Sequence, residues 1–159
     1  MYTLLLTLHN VTRWLVVLFA LIVIVRAFSG WFGKKSWNSA DNRAGLIYTI
    51  VLDVQLLLGI ILYIYPGIYT HMMLSDPGAA MGNPLVRFYA VEHATVMLLA
   101  VVLAHIARSV SRHTAEALGK HRKAAIWFTI SFVAILAAIP WPFMENTGRP
   151  WLRLFGLVF

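Results

Sequence analysis

The sequence predicts an all-α integral membrane protein, a bundle of four transmembrane helices followed by a short C-terminal interfacial segment. Three observations predict it. Hydrophobic residues make up 60% of the 159 positions and charged residues only 12%, a balance too apolar for a soluble domain of this size. The apolar residues gather into four long runs, at about residues 4–27, 44–65, 87–108 and 124–139, and about 20 such residues at ~1.5 Å each cover the ~30 Å hydrocarbon layer of a bilayer. The basic residues cluster at the ends of these runs, as topology signals do, and form no soluble basic face. The formal charge of +7 therefore points to a lipid bilayer and not to nucleic acid. Residues 1–159 form one domain.

The chain has no cysteine, which excludes disulfides, iron–sulfur clusters, thiolate metal sites and cysteine nucleophiles. The N-terminus MYTLLLTLHN lacks a basic leading region and a small-residue cleavage site, so the first run is expected to be a retained span and not a signal peptide.

The first span, 4–27, has WLVVLFALIVIV as its most apolar part, with Arg13 one turn past His9 and Arg26 near the far end. In the connection SGWFGKKSWNSADNR, Gly30 and Gly33 are expected to end the helix, and Ser39 or Asp41 to cap the next. The second span, 44–65, carries Asp53 and Gln55 and closes at Pro66-Gly67. The Pro, Gly and Asp content of the following GIYTHMMLSDPGAAMGNP predicts an irregular exposed loop. The third span, RFYAVEHATVMLLAVVLAHIAR, lies between Arg87 and Arg108 and holds Glu92, His93 and His105. Next, SVSRHTAEALGKHRK reads as a basic linker with one or two helical turns. The fourth span ends at PWPF, where two prolines stop a helix. The tail ENTGRPWLRLFGLVF is too short to span again, and its Trp151, Leu152, Phe155 and Phe159 suit a segment at the interface or packed on the bundle.

Lysines and arginines set the expected orientation. The first and third connections hold Lys34, Lys35, Arg43, Arg112, Lys120, Arg122 and Lys123, against none in the second before Arg87. Those two connections should face the cytoplasm, with both termini on the outer side.

Ionisable groups cost roughly 2.5 to 3.5 kcal/mol or more at the centre of a membrane helix, so those within the spans should face a ligand or a partner. His9 lies about five residues inside the first span and His93 six past Arg87, which sets both roughly 8 to 9 Å below the outer surface. Two histidines at one depth on two helices suit axial ligation of a b-type haem. Arg13, four residues after His9, shares its helix face and is suited to pair with a propionate. In a reading without cofactor, His9 is an interfacial polar residue and Glu92 pairs with Arg87 or Arg13 to pin helices. A transition-metal or proton-transfer site is a further reading. His105 has no histidine opposite it on the first span and is expected near lipid headgroups. Asp53 lies close to mid-membrane, as a quinone or proton-relay contact or as interhelical glue, and Gln55 faces another direction. The outer loop offers His71, Met72, Met73 and Met81, soft ligands suited to copper(I) or side chains packed on the bundle.

LHNVTRW, GWFGKK, DVQLLLGIILY, RFYAVEH and HRKAAIWFTISFVAILAAIPWPF together resemble a family of small bacterial four-helix membrane proteins often labelled cytochrome b-like. The resemblance covers most of the chain and implies site positions at His9, Arg13, Gln55, Arg87, Glu92 and His93. Asp53 is a departure, since a histidine can stand there in relatives. A full di-haem path would need four well-spaced histidines within the spans, which this chain does not supply.

The expected function is that of a mono-haem b-type electron-transfer protein or subunit. His9 and His93 would be its iron ligands, and Arg13, Gln55 and Glu92 would complete the binding pocket. It would exchange electrons with quinone or an outer-face partner, alone or within a larger respiratory or redox membrane complex. The alternative is a non-enzymatic accessory subunit that has no cofactor of its own.

Overall fold

The computed structural model describes all residues except Pro66, Phe155, Gly156 and Phe159 and the side chain of Val158. The expected closure of the second span at Pro66, and the roles of Phe155 and Phe159 in the tail, lie outside the described residues.

The chain is an all-α bundle with four helices long and apolar enough to cross a membrane. Helix α1 runs Tyr2–Phe32 and α2 runs Ser39–Ile64. Three short pieces follow, α3 (Ile68–Ser75), α4 (Pro77–Gly82) and α5 (Pro84–Arg87). A π-helical turn, Phe88–Glu92, joins α5 to α6 (His93–His113) in one continuous span. Helix α7 runs Ala117–Ala138. The tail ends in a two-residue antiparallel ribbon, β1 (Arg153–Leu154) with β2 (Leu157–Val158).

All four spans are longer at one or both ends than their apolar runs, because polar residues cap and extend them. Asn38, not Ser39, caps α2: its side chain accepts from the amides of Ala40 and Asp41, while Asp41 accepts from the Asn38 amide. The same Asp41 receives Arg26 of α1 at 2.7 Å, so one carboxylate closes the cap and ties two spans together. The third connection shrinks to Thr114–Glu116, since α6 and α7 absorb the rest of the expected linker.

The second connection is not an irregular loop. Pro77 and Pro84 each stand at the first turn of a helix, where a missing N–H costs nothing, and Asp76 and Asn83 cap those helices. Gly67, at φ 54°, makes the left-handed turn that reverses the chain into α3.

Small residues let the spans approach closely. Ala20 and Ala27 of α1, Ala100, Ala104 and Ala107 of α6, and Ala124 and Ala125 of α7 are all buried, as expected where helices in lipid associate through packing. At the centre Ser131 of α7 donates to the Ala100 carbonyl at 2.8 Å and sits 3.3 Å from the Tyr48 hydroxyl.

Gly30 does not end α1. It lies inside the helix, and a Cβ there would run into the ring of the buried His121, which also packs on Trp37. Gly30→Ala is therefore expected to destabilise the bundle by about 1–3 kcal/mol through overpacking. Thermal unfolding in detergent measures this, and an unchanged midpoint would contradict the packing.

Candidate functional site

A cavity of about 390 Å³ opens at the end of the bundle where α1 begins and α7 ends, within the range of small-molecule sites. Its walls come from α1, α2, the start of α3, the π-helical turn, α6, the end of α7 and the tail. His9, Arg13, Gln55 and His93 line it together. Ile60 and Leu98 also line it while remaining exposed on the outer surface, so the cavity opens sideways between α2 and α6.

His9 and His93 face one another across this space, with ring centroids 6.4 Å apart and planes at 67°. His93 is held by the end of α7. Its Nδ1 lies 2.8 Å from the carbonyl of Ala138, the last residue of that helix, whose carbonyl has no partner within the helix. A carbonyl only accepts, so Nδ1 carries the proton and Nε2 is left with its lone pair. A backbone carbonyl that fixes the tautomer of a histidine in this way is the usual support of a metal-binding imidazole.

The π-helical turn just before His93 contributes as well. In it the His93 amide reaches back to the Phe88 carbonyl, and the carbonyl of Ala90 in the same turn accepts from the Tyr63 hydroxyl at 2.8 Å. Such turns recur at functional sites because one extra residue rotates the next side chains around the helix axis.

On the opposite wall Gln55 donates to the His9 carbonyl at 3.0 Å. Gly59 stands beside the His9 ring, where a Cβ would come within 3.4 Å of it. Three buried polar atoms on this wall, His9 Nδ1, Gln55 Oε1 and Arg13 Nε, have no hydrogen-bond partner among the described residues. Buried polar atoms left unpaired cost about 1–3 kcal/mol each, so the wall is chemically unfinished.

The guanidinium of Arg13 takes on a role the sequence did not predict. It donates to the carbonyls of Pro150 at 3.2 Å and Trp151 at 2.7 Å, so the tail occupies it. Arg149 and Arg153 of that tail also line the cavity. Arg149 donates to the hydroxyls of Tyr89 and Tyr69 at 2.8 and 2.7 Å. Burial works against its charge, but the two tyrosines beside it hold its pKa above the ordinary value, so it stays cationic. No carboxylate lines the cavity among the described residues.

Glu92 does not join the site. It is 47% exposed and pairs with Arg87 at 2.7 Å, because it stands one residue, about 100° of turn, from His93. Arg87 is one of the two partners that the reading without cofactor names, but the pair lies within one continuous span and so does not pin two helices together. Asp53 and His105 form one pair, His105 Nε2 to Asp53 Oδ1 at 2.8 Å, outside the cavity; for Asp53 this is the interhelical contact among its expected roles, and only the partner, His105, was not expected.

Sequence reasoning missed Tyr63, Tyr69, Tyr89 and Arg149. One signal was present: two arginines, Arg149 and Arg153, in a tail that comes after a proline helix stop at the end of the bundle that holds His9. Among the described residues no three of His, Asp and Glu gather into a metal-binding group, and His71, on α3, is not one of the residues that line the cavity. Comparisons with known protein families, with curated proteins and with solved structures find no match to this chain.

Proposed function

We propose that the chain is a mono-haem b-type electron-transfer protein or subunit of a bacterial inner membrane, with His9 and His93 as the iron ligands. The observation that carries this reading is the pair of facing rings, one with its tautomer fixed by Ala138. His9 and His93 would hold the group from α1 and α6, with their ring centroids 6.4 Å apart across the cavity. A site of two side-chain ligands suits a macrocycle, which brings the other four nitrogens itself.

The residues around the histidines fit the rest of such a group. The walls are mainly apolar, with Leu56, Met97 and Ile135 among them. Arg149 and Arg153 offer positive charge to carboxylates at the mouth, a better supply than Arg13, which the tail already occupies. When bound, the haem would supply one-electron redox chemistry. The chain's own part is to hold the two imidazoles, exclude water with apolar walls and balance anionic groups with arginine. Quinone in the bilayer, or a larger respiratory or redox complex at the outer face, is the proposed electron partner.

The test is the visible spectrum of detergent-purified protein. A Soret band with sharp reduced α and β bands is expected. Colourless protein after expression with haem supplied would favour the second reading, an accessory subunit without its own cofactor. The bonds of Arg13 to tail carbonyls and of Glu92 to Arg87 favour that reading, since they occupy polar groups internally.

In the proposed orientation both termini and the α3–α4 connection are periplasmic. Cysteines introduced at Ser75 and Ser36 report this: an impermeant maleimide added to intact cells should label the first and spare the second. The opposite pattern would invert the topology.

A further inference from the structure

Outside the cavity, Asp53 of α2 and His105 of α6 form a polar island on the lipid-facing side of the bundle. Both side chains are 49% exposed. Asp53 stands 12 residues beyond the Arg26–Asp41 bridge, which is about 18 Å of helix and places the pair deep in a ~30 Å hydrocarbon layer. Around it the exposed residues are apolar: Ile50, Val54 and Leu57 on α2, and Leu98 and Val102 on α6. A carboxylate and an imidazole half-open to acyl chains are expensive, and by default mark a functional contact.

The geometry points to the Asp53–His105 pair as a binding site for the headgroup of a membrane-dissolved quinone or hydroquinone. Four features favour this occupant. Neither side chain makes any other hydrogen bond among the described residues, so the second carboxylate oxygen and His105 Nδ1 are free for the oxygens of a ligand, one accepting and the other able to donate or accept. The pair lies too deep for a phospholipid phosphate, and a carboxylate would repel one. The flanking residues repeat along both helices, with Ile50, Val54 and Leu57 spaced around Asp53 and Leu98 and Val102 leading to His105, so an aromatic ring and an isoprenoid tail would lie along a continuous apolar face. The sideways mouth of the cavity, between Ile60 and Leu98, is seven residues or about 10 Å from the pair on both helices, which brings the headgroup site next to the cavity.

Below the pair, polar side chains continue along α6. His105, Arg108, Ser109 and Arg112 stand three and four residues apart on one side of α6 and line a second space of about 340 Å³. That space leads toward the Lys34 end of the bundle, the cytoplasmic end in the proposed orientation. A second copy of the chain fits this face less well, because the small residues that let membrane helices pack closely are spent inside the bundle.

The test is photolabelling of the full chain in nanodiscs with a short-chain arylazido quinone, competed by excess decylubiquinone. Labelling is expected on residues 50–57 and 98–109, suppressed by the competitor. Asp53→Leu with His105→Leu should weaken the competed labelling by about tenfold or more, since two hydrogen bonds to charged or polar groups are lost. Asp53→Asn, which keeps the side chain's size, should weaken it several-fold and serves if the double variant does not fold. Wild-type labelling in the variants that fold would overturn the site. So would label that spreads evenly over all four spans and resists the competitor, which is partitioning alone. Disulfide cross-linking between copies through cysteines at Leu57 and Val102 would assign the face to a second copy and also overturn it. The site stands apart from the haem reading: His93→Ala protein should label as the wild type does, so loss of the haem spectrum and loss of labelling are separate results.

Discussion

Under the proposed mono-haem function, replacing His93 by alanine is expected to abolish the low-spin spectrum of the haem-loaded protein, and replacing His9 to do the same. The expectation rests on position. The two rings face one another across the cavity, and the proposed haem would be held by both histidines, so loss of either would remove one of its two protein ligands. His93→Ala also leaves the last carbonyl of α7 without its donor at 2.8 Å, and this should add about 1–3 kcal/mol of destabilisation. His71→Ala and His105→Ala should keep the spectrum, because the side chain of the first does not line the cavity and the second is engaged with Asp53. Absorption of the reduced variants, with thermal unfolding measured beside it, checks both parts. A low-spin spectrum that survives in His93→Ala would end the assignment of that ligand. Equal losses in His93→Ala and His105→Ala would end the single-site picture.

The four spans were legible because they rest on long apolar runs and on charges at their ends, which the bilayer's thickness turns directly into helices. The approach of His9 to His93 was legible for a related reason: depth along a helix can be counted in residues, and two spans at one depth have few ways to avoid each other in a small bundle. Facing direction was harder. Glu92 is adjacent in sequence to His93 but one step of rotation away, and Arg87 takes it before the cavity does. The π-helical turn and the short helices after Gly67 were not legible, since proline and glycine signal a break without saying whether a new helix starts at once. Asp53 and His105 could not be paired from the sequence either. Their contact depends on how α2 and α6 are rotated, which residue counting does not give.

The tail was the largest gap, and it supplies the other large expected effect. Asn10, Arg13 and Trp14 stand on one face of α1 and together hold residues 150–153: Asn10 and Arg13 donate to the Pro150 carbonyl, Arg13 and Trp14 to the Trp151 carbonyl, and the Arg153 amide donates to Asn10. Trp14 stacks on Trp151 with ring centroids 6.0 Å apart. Arg13→Ala removes two of these bonds, at about 1.5–3 kcal/mol for each bond to a charged group. Such a loss should raise the population of the undocked tail by about tenfold or more. Trypsin cleavage after Arg153 measures that population, and it should accelerate by the same factor, whereas Arg13→Lys, which keeps one charged donor, should show a smaller rise. Cleavage as slow as in the wild type would show that the tail is held by its apolar contacts and not by the arginine. Because Arg153 lies in the latched segment and lines the cavity, while Arg149 keeps its own bonds to Tyr69 and Tyr89, the Arg13→Ala protein should also bind anionic cavity ligands more weakly even though His9 and His93 are untouched. The latch on α1 is thereby coupled to the charge at the cavity mouth.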